Sequence, residues 1–207
     1  MPQISKFTRT DVNNILRHNE RSISTEKDYI DSSKSDQNYC LSPERGMTFY
    51  DYYKNRLDEI YVFNRSDVIT MASWVVTLPK DTPKGQEEIF FKLVYNFLEE
   101  RYGKENVVQA IVHKDETTPH LHFCFVPVVE DAKHEQGFKV CYDQRIPRAE
   151  YRNFHPALEK YLHDHGMNVK IKTGITYRQG GNLTVAQLKE RSMGVEHNKQ
   201  RERTWHV

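Results

Sequence analysis

Between Gln86 and Tyr102 the apolar residues Ile89, Phe90, Leu93, Val94, Phe97 and Leu98 recur at three- and four-residue spacing. That period lines one side of an α-helix and predicts an amphipathic helix, closed by Gly103. The same period places Val12, Ile15 and Leu16 on one face of Thr10–Glu20, with Thr10 or Asp11 as N-cap and an end near His18. Elsewhere the pattern changes to β-branched runs. Val68–Leu78 (VITMASWVVTL), bounded by Pro79, reads as a buried strand. Val107–His113 and His120–Val129 read as two more, and the short connection between them predicts an antiparallel hairpin. Phe138–Tyr142 reads as an edge strand and Thr48–Val62 as a helix rich in tyrosine and charge. Pro147–His165 reads as a helix that Pro156 either kinks or restarts and Gly166 ends. Leu183–Arg191 reads as a last short helix and 192–207 as a loose polar tail. Residues 21–45 are polar and form a long loop, a kind of segment that tends to carry function. Helices and strands mixed in this way, with a hairpin among them, predict an α+β domain around a central antiparallel sheet.

Composition changes this picture little. At 207 residues, 37% apolar and 12% aromatic, the chain can bury a core but leaves much polar surface. A net charge of +1 means that a nucleic-acid partner has to be judged from local basic groups. Three isolated cysteines, Cys40, Cys124 and Cys141, without a CxxC, fit reduced thiols in the cytoplasm rather than a disulfide framework. The N-terminus has no apolar h-region and no long apolar run follows, so neither a signal peptide nor contact with a membrane is expected.

The chemistry is concentrated in His113-Lys-Asp115-Glu116-Thr-Thr-Pro119-His120-Leu121-His122. Alternate residues of a strand share a face, so His120 and His122 project together while Leu121, Phe123 and Phe125 turn to the core. A hairpin brings His113 opposite His120. Three imidazoles converging at one spot make a metal site with open coordination positions, the arrangement catalysis needs. Asp115 is placed as an acceptor that fixes an imidazole tautomer, and Glu116 as a group within reach of the metal or a water.

The segment HxDExxPHLH resembles the third motif of the MobV (Pre/Mob) relaxases, a family of HUH endonucleases. Arg17-His18-Asn19-Glu20-Arg21 resembles that family's first motif, and Asp36-Gln37-Asn38-Tyr39-Cys40-Leu41 its Asn-centred second. The resemblance covers nearly the whole chain and implies a relaxase domain over 1–191, with about five antiparallel strands flanked by helices. It implies an enzyme that nicks one strand at an origin of transfer, becomes joined to the 5′ phosphate and later rejoins the ends. The implied cofactor is Mn²⁺ or Mg²⁺, although three imidazoles suit Zn²⁺ as well. The implied setting is the bacterial cytoplasm, with a conjugation coupling protein as a further partner.

Most HUH relaxases attack with tyrosine, whereas resemblance to MobV points to His18. A neutral imidazole needs no proton removed before attack near pH 7, unlike a tyrosine of pKa ~10. Tyr39 is the alternative nucleophile. Arg21 and Asn38 are placed to orient the nucleophile or to contact phosphate, a task that suits the arginine fork. DNA contact is expected from Lys6, Arg9, Arg145, Arg148 and Arg152, and from Lys189, Arg191, Lys199, Arg201 and Arg203 near the end. Two other readings fit a histidine cluster: a rolling-circle replication initiator of the HUH class, and a DNA-binding module whose metal is structural. The first is expected to use tyrosines after the metal motif. Tyr142, Tyr151, Tyr161 and Tyr177 lie there without a YxxxY pair.

Overall fold

Strand β1 (Gln3–Thr8) leads straight into helix α1 (Arg9–Asn19). The helix starts earlier than the sequence pattern predicts. Its N-cap is Thr8, whose backbone N–H and hydroxyl both donate to the Asp11 carboxylate, at 3.0 and 2.6 Å. The long polar stretch contains a 3₁₀ turn (Ser32–Gln37) and a two-residue strand, β2 (Tyr39–Cys40). Then come α2 (Phe49–Asp58), β3 (Ile69–Thr77), α3 (Glu87–Tyr102), β4 (Val107–His113) and β5 (His120–Phe125). The chain continues through β6 (Val128–Glu130), β7 (Phe138–Val140), α4 (Tyr142–Arg145) and α5 (Arg148–Asp164). The computed structural model describes residues 2–23 and 30–171. The expected Leu183–Arg191 helix, the 192–207 tail and the later basic residues lie outside them.

Five strands form one antiparallel sheet in the order β1-β3-β5-β4-β2. This bears out the α+β class. Two departures have local causes. The predicted strand His120–Val129 is divided in two, because Pro127 has no N–H to give a ladder. Its second part, β6, leaves the main sheet and pairs with β7 in a separate two-stranded sheet. At the other proline the helix neither breaks nor restarts. α5 runs through Pro156, which is exposed, as is Arg152, whose carbonyl the proline leaves without its helical donor.

The sheet has apolar packing on both sides. On one, Trp74, Leu121, Phe123 and Phe125 meet α3 and α5 through Phe90, Val94, Leu98, Phe154, Leu158 and Leu162. Trp74 stacks on Phe154 with ring centroids 3.6 Å apart. On the other, Met71, Val108 and Cys124 meet Val12 and Leu16 of α1 and Tyr53 of α2. The histidines stand at one end of β4 and β5 on that side, next to the last turn of α1.

Candidate active site

The β4–β5 ladder pairs His113 with His120 and Ile111 with His122. All three histidines therefore project from the side of the sheet that α1 covers. Their ring centroids lie 4.7 to 5.3 Å apart. One ring nitrogen from each falls within 4.8 Å of the others. His113 is fully buried, and His120 is 9% exposed.

Two backbone carbonyls orient the rings. His113 Nε2 lies 2.8 Å from the Asn19 carbonyl at the end of α1. His120 Nδ1 lies 2.9 Å from the Thr118 carbonyl in the turn. A carbonyl only accepts, so each of these nitrogens carries the proton. The opposite nitrogens, His113 Nδ1 and His120 Nε2, are left with lone pairs. His120 Nε2 and His122 Nε2 converge to 3.0 Å. Burial lowers the pKa of His120, and burial with the neighbouring rings takes His122 well below the ordinary imidazole value. Neutral rings with fixed lone pairs are the form in which imidazole holds a metal.

Beside the rings lies an ionic cluster centred on Arg21. Its Nε and Nη2 grip both oxygens of Asp115, at 2.9 and 2.7 Å, and Nη2 also reaches Glu116 at 2.7 Å. Nη2 lies 3.2 Å from His113 Nδ1. Asp115 accepts two further bonds, from Ser35 at 2.7 Å and Asn38 at 2.8 Å. Burial would raise the Asp115 pKa, but these donors outweigh it and hold the carboxyl far below its ordinary range. Burial opposes ionisation of Glu116 too. The Arg21 contact prevails and holds its carboxyl below the ordinary range. Asp115 therefore does not fix an imidazole, as its sequence position suggested; carbonyls do that. Asp115 instead ties Arg21 to the polar loop, and Asn38 completes the tie by accepting from the Lys114 N–H at 2.7 Å.

His18 is half-buried in the last turn of α1, close enough to His122 for its charge to lower that ring's pKa. Tyr39 is elsewhere. It pairs with Val112, which places its side chain on the α3 side, packed against the core there. Burial, with Glu88 and Glu87 nearby, pushes its pKa up to about 12. Half-buried, slow to ionise and with its side chain on the α3 side, Tyr39 is placed less well for attack near the histidines than His18.

The basic residues divide as well. Arg9 opens α1 on the histidine side. Lys6 pairs with Ala72 and lies over the Tyr142 ring, on the opposite side. Arg145 belongs to α4, not to the late helix, and its guanidinium is held by the Arg101 carbonyl and packs 5.0 Å over the Tyr102 ring. Arg148 and Arg152 are exposed on α5, which packs on that same opposite side.

A family profile described as plasmid recombination enzyme matches residues 1–190. The chain belongs to the plasmid recombination enzyme family. Among relatives, a plasmid recombination enzyme of Streptococcus agalactiae is 29% identical over 203 residues, covering 94% of this chain and 39% of that protein. A type 1 enzyme of Staphylococcus aureus is 38% identical over 150 residues, covering 65% of this chain and 36% of that protein. The chain thus spans well under half the length of these relatives. The crystal structure of the MobM relaxase domain (MobV), bound to manganese and to origin-of-transfer DNA of plasmid pMV158, aligns with a TM-score of 0.76. It is 27% identical, and the match covers 92% of this chain and 97% of that one. The resemblance to the MobV relaxases is borne out, and so is the five-stranded sheet it implied.

For a member of the plasmid recombination enzyme family, the sequence reading missed three parts of the site. They are the Asn19 and Thr118 carbonyls and Ser35. Backbone groups leave no trace in residue identity, and a serine in a polar loop resembles any other.

Proposed function

We propose that this chain is the strand-transfer part of a relaxase, nicking one strand at a plasmid origin of transfer and holding its 5′ phosphate covalently. The observation that carries the reading is the convergence of His113, His120 and His122, with His18 on the adjoining helix end. The three rings, with Glu116 beside them, would hold a divalent cation. Manganese or magnesium is favoured by the carboxylate and by the manganese in the MobM structure. Such an ion would offset negative charge on the phosphate under attack.

His18 is the nucleophile in this reading. A neutral ring nitrogen attacks phosphorus, the P–N bond forms and the bond to the 3′ oxygen breaks; that oxygen takes a proton from water, and the phosphorylated ring gives its remaining N–H proton to solvent. The phosphoramidate keeps a reactive P–N bond, so a 3′ hydroxyl reverses the step and reseals the strand. Arg21 holds Glu116 ionised beside the rings, and Asp115 with Asn38 holds Arg21. Among the described residues no helix is long and apolar enough to cross a membrane. Action in the bacterial cytoplasm, and hand-over of the bound strand to a conjugation coupling protein, belong to the same reading.

Incubation with single-stranded origin DNA and Mn²⁺ tests it. We expect an acid-labile protein–DNA adduct that disappears in His18→Ala. An acid-stable adduct that survives this substitution overturns the assignment. His120→Ala and His122→Ala are expected to abolish nicking while largely sparing DNA binding, read by gel shift; retained nicking overturns the metal site.

A further inference from the structure

One polar side chain lies in the core beneath α1, outside the cluster around Arg21. Gln109 is fully buried, opposite Cys124 and beside the apolar group that holds Val12, Leu16 and Val108. A slip in the β4–β5 register between Val107 and Gln109 brings it there. Val107 belongs to the core on the α3 side, whereas Val108 and Gln109, consecutive in the chain, both meet α1. Such slips re-aim side chains, and this one aims an amide into apolar packing.

Both ends of that amide are used on α1. Gln109 Nε2 donates to the Leu16 carbonyl at 3.2 Å, and its Oε1 accepts from Asn19 Nδ2 at 2.9 Å. His18 lies between these two residues. The last carbonyls of a helix lack helical donors, so last turns fray. Here each of them is met. Leu16 accepts from the Glu20 N–H at 3.1 Å, Arg17 from the Ser22 N–H at 3.0 Å and His18 from the Arg21 N–H at 3.1 Å. Asn19 accepts from His113 Nε2 at 2.8 Å. The Leu16 carbonyl thus has a donor without Gln109, and the amide is not needed to satisfy it. What the amide adds is a second tie between the last turn of α1 and β4, beside the tie from His113. One tie leaves a pivot; two on the same strand fix the turn. Packing alone does not call for glutamine, since a methionine fills the same space without burying an amide in apolar surroundings.

We infer that Gln109 is a positioning residue: its amide fixes the last turn of α1, and with it the His18 ring, against the strand that carries His113. It acts through Leu16 and Asn19 and, being fully buried, touches no substrate. In-line attack on phosphorus tolerates little displacement of the attacking atom, so a loosened turn costs rate rather than binding. The inference rests on the reading of His18 as nucleophile and adds what holds it in place.

Gln109→Met tests it in the adduct assay on single-stranded origin DNA with Mn²⁺. At saturating DNA and metal we expect adduct formation to slow about 10- to 100-fold, while the dissociation constants for DNA and Mn²⁺ stay within about twofold of wild type. Amide hydrogen exchange reads the turn without any activity. Protection of the Glu20, Arg21 and Ser22 N–H groups should drop about tenfold, with the β4–β5 ladder unchanged. An unchanged rate at saturation overturns the inference, and so does a loss of DNA and metal affinity in step with the rate. Protection lost evenly from turn and ladder overturns it too. Gln109→Met leaves the Asn19 amide without its acceptor, so a second variant, Asn19→Leu with Gln109→Met, removes both amides and covers the case in which the first does not fold. The double variant is expected to stay slow and to leave the turn unprotected. Recovery of the wild-type rate would mean that Gln109 only satisfies Asn19, and overturns the inference. Wild-type protein that forms no adduct sinks strand transfer alone, because hydrogen exchange still decides whether Gln109 holds the turn.

Discussion

Arg21 has a φ of +57°, the left-handed conformation in which side chains other than glycine are strained. It follows the C-cap of α1, a place where glycine usually sits. The arginine is kept because its side chain neutralises Asp115, whose side chain is fully buried, and Glu116. The backbone conformation and the ionic cluster make separable predictions. Arg21→Ala leaves a buried carboxylate without its countercharge and is expected to lower stability to urea by about 3 kcal/mol. Arg21→Gly loses the same side chain but relieves the backbone, so it should be about 1 kcal/mol more stable than Arg21→Ala. Equal stabilities would mean that the left-handed turn stores no strain. Both variants should also weaken Mn²⁺ binding, by about 10- to 100-fold in calorimetric titration, because Glu116 loses its anchor beside the rings.

At the scale of elements, α5 is fastened to α3 by Glu150, which accepts from Arg101 at 2.5 and 2.7 Å and from the Tyr102 hydroxyl at 2.9 Å. Burial works against the Glu150 carboxylate, but these donors prevail and lower its pKa. A carboxyl whose pKa falls on folding stabilises the protein above its unfolded value of about 4.3, and that contribution fades as pH drops through the folded value. Wild type and Glu150→Gln should therefore differ most near neutral pH and converge on acidification. A gap that widens below about pH 4 contradicts the clasp. The elements differ in how far they could be read from sequence. β4, β5 and α3 were legible because one face of each is continuously apolar, and the hairpin register followed from His113 and His120 alone. β1 was not legible: Gln3, Ser5 and Lys6 leave only Ile4 and Phe7 to mark it. β2 is two residues long, too short for any period. The histidine cluster was evident because alternation along a strand is strict. The role of Asp115 was misread because its partners, Arg21, Ser35 and Asn38, lie 94, 80 and 77 positions away and only the fold joins them.

For the whole molecule, the sheet divides the surface into two sides, and a net charge of +1 offers no general attraction for DNA. Affinity has to come from the side on which the strand lies. The histidines and α1 share one side, where Arg9, Tyr50 and Lys54 line a groove. Lys6, Arg148 and Arg152 are on the other. If the strand runs from the histidines along α1, Arg9 neutralises a phosphate and releases a counterion, while the α5 arginines do not. The slope of log affinity against log salt for single-stranded DNA should then fall in magnitude by about 0.7 in Arg9→Ala and stay unchanged in Arg148→Ala and Arg152→Ala. The reverse result would place the strand across α5.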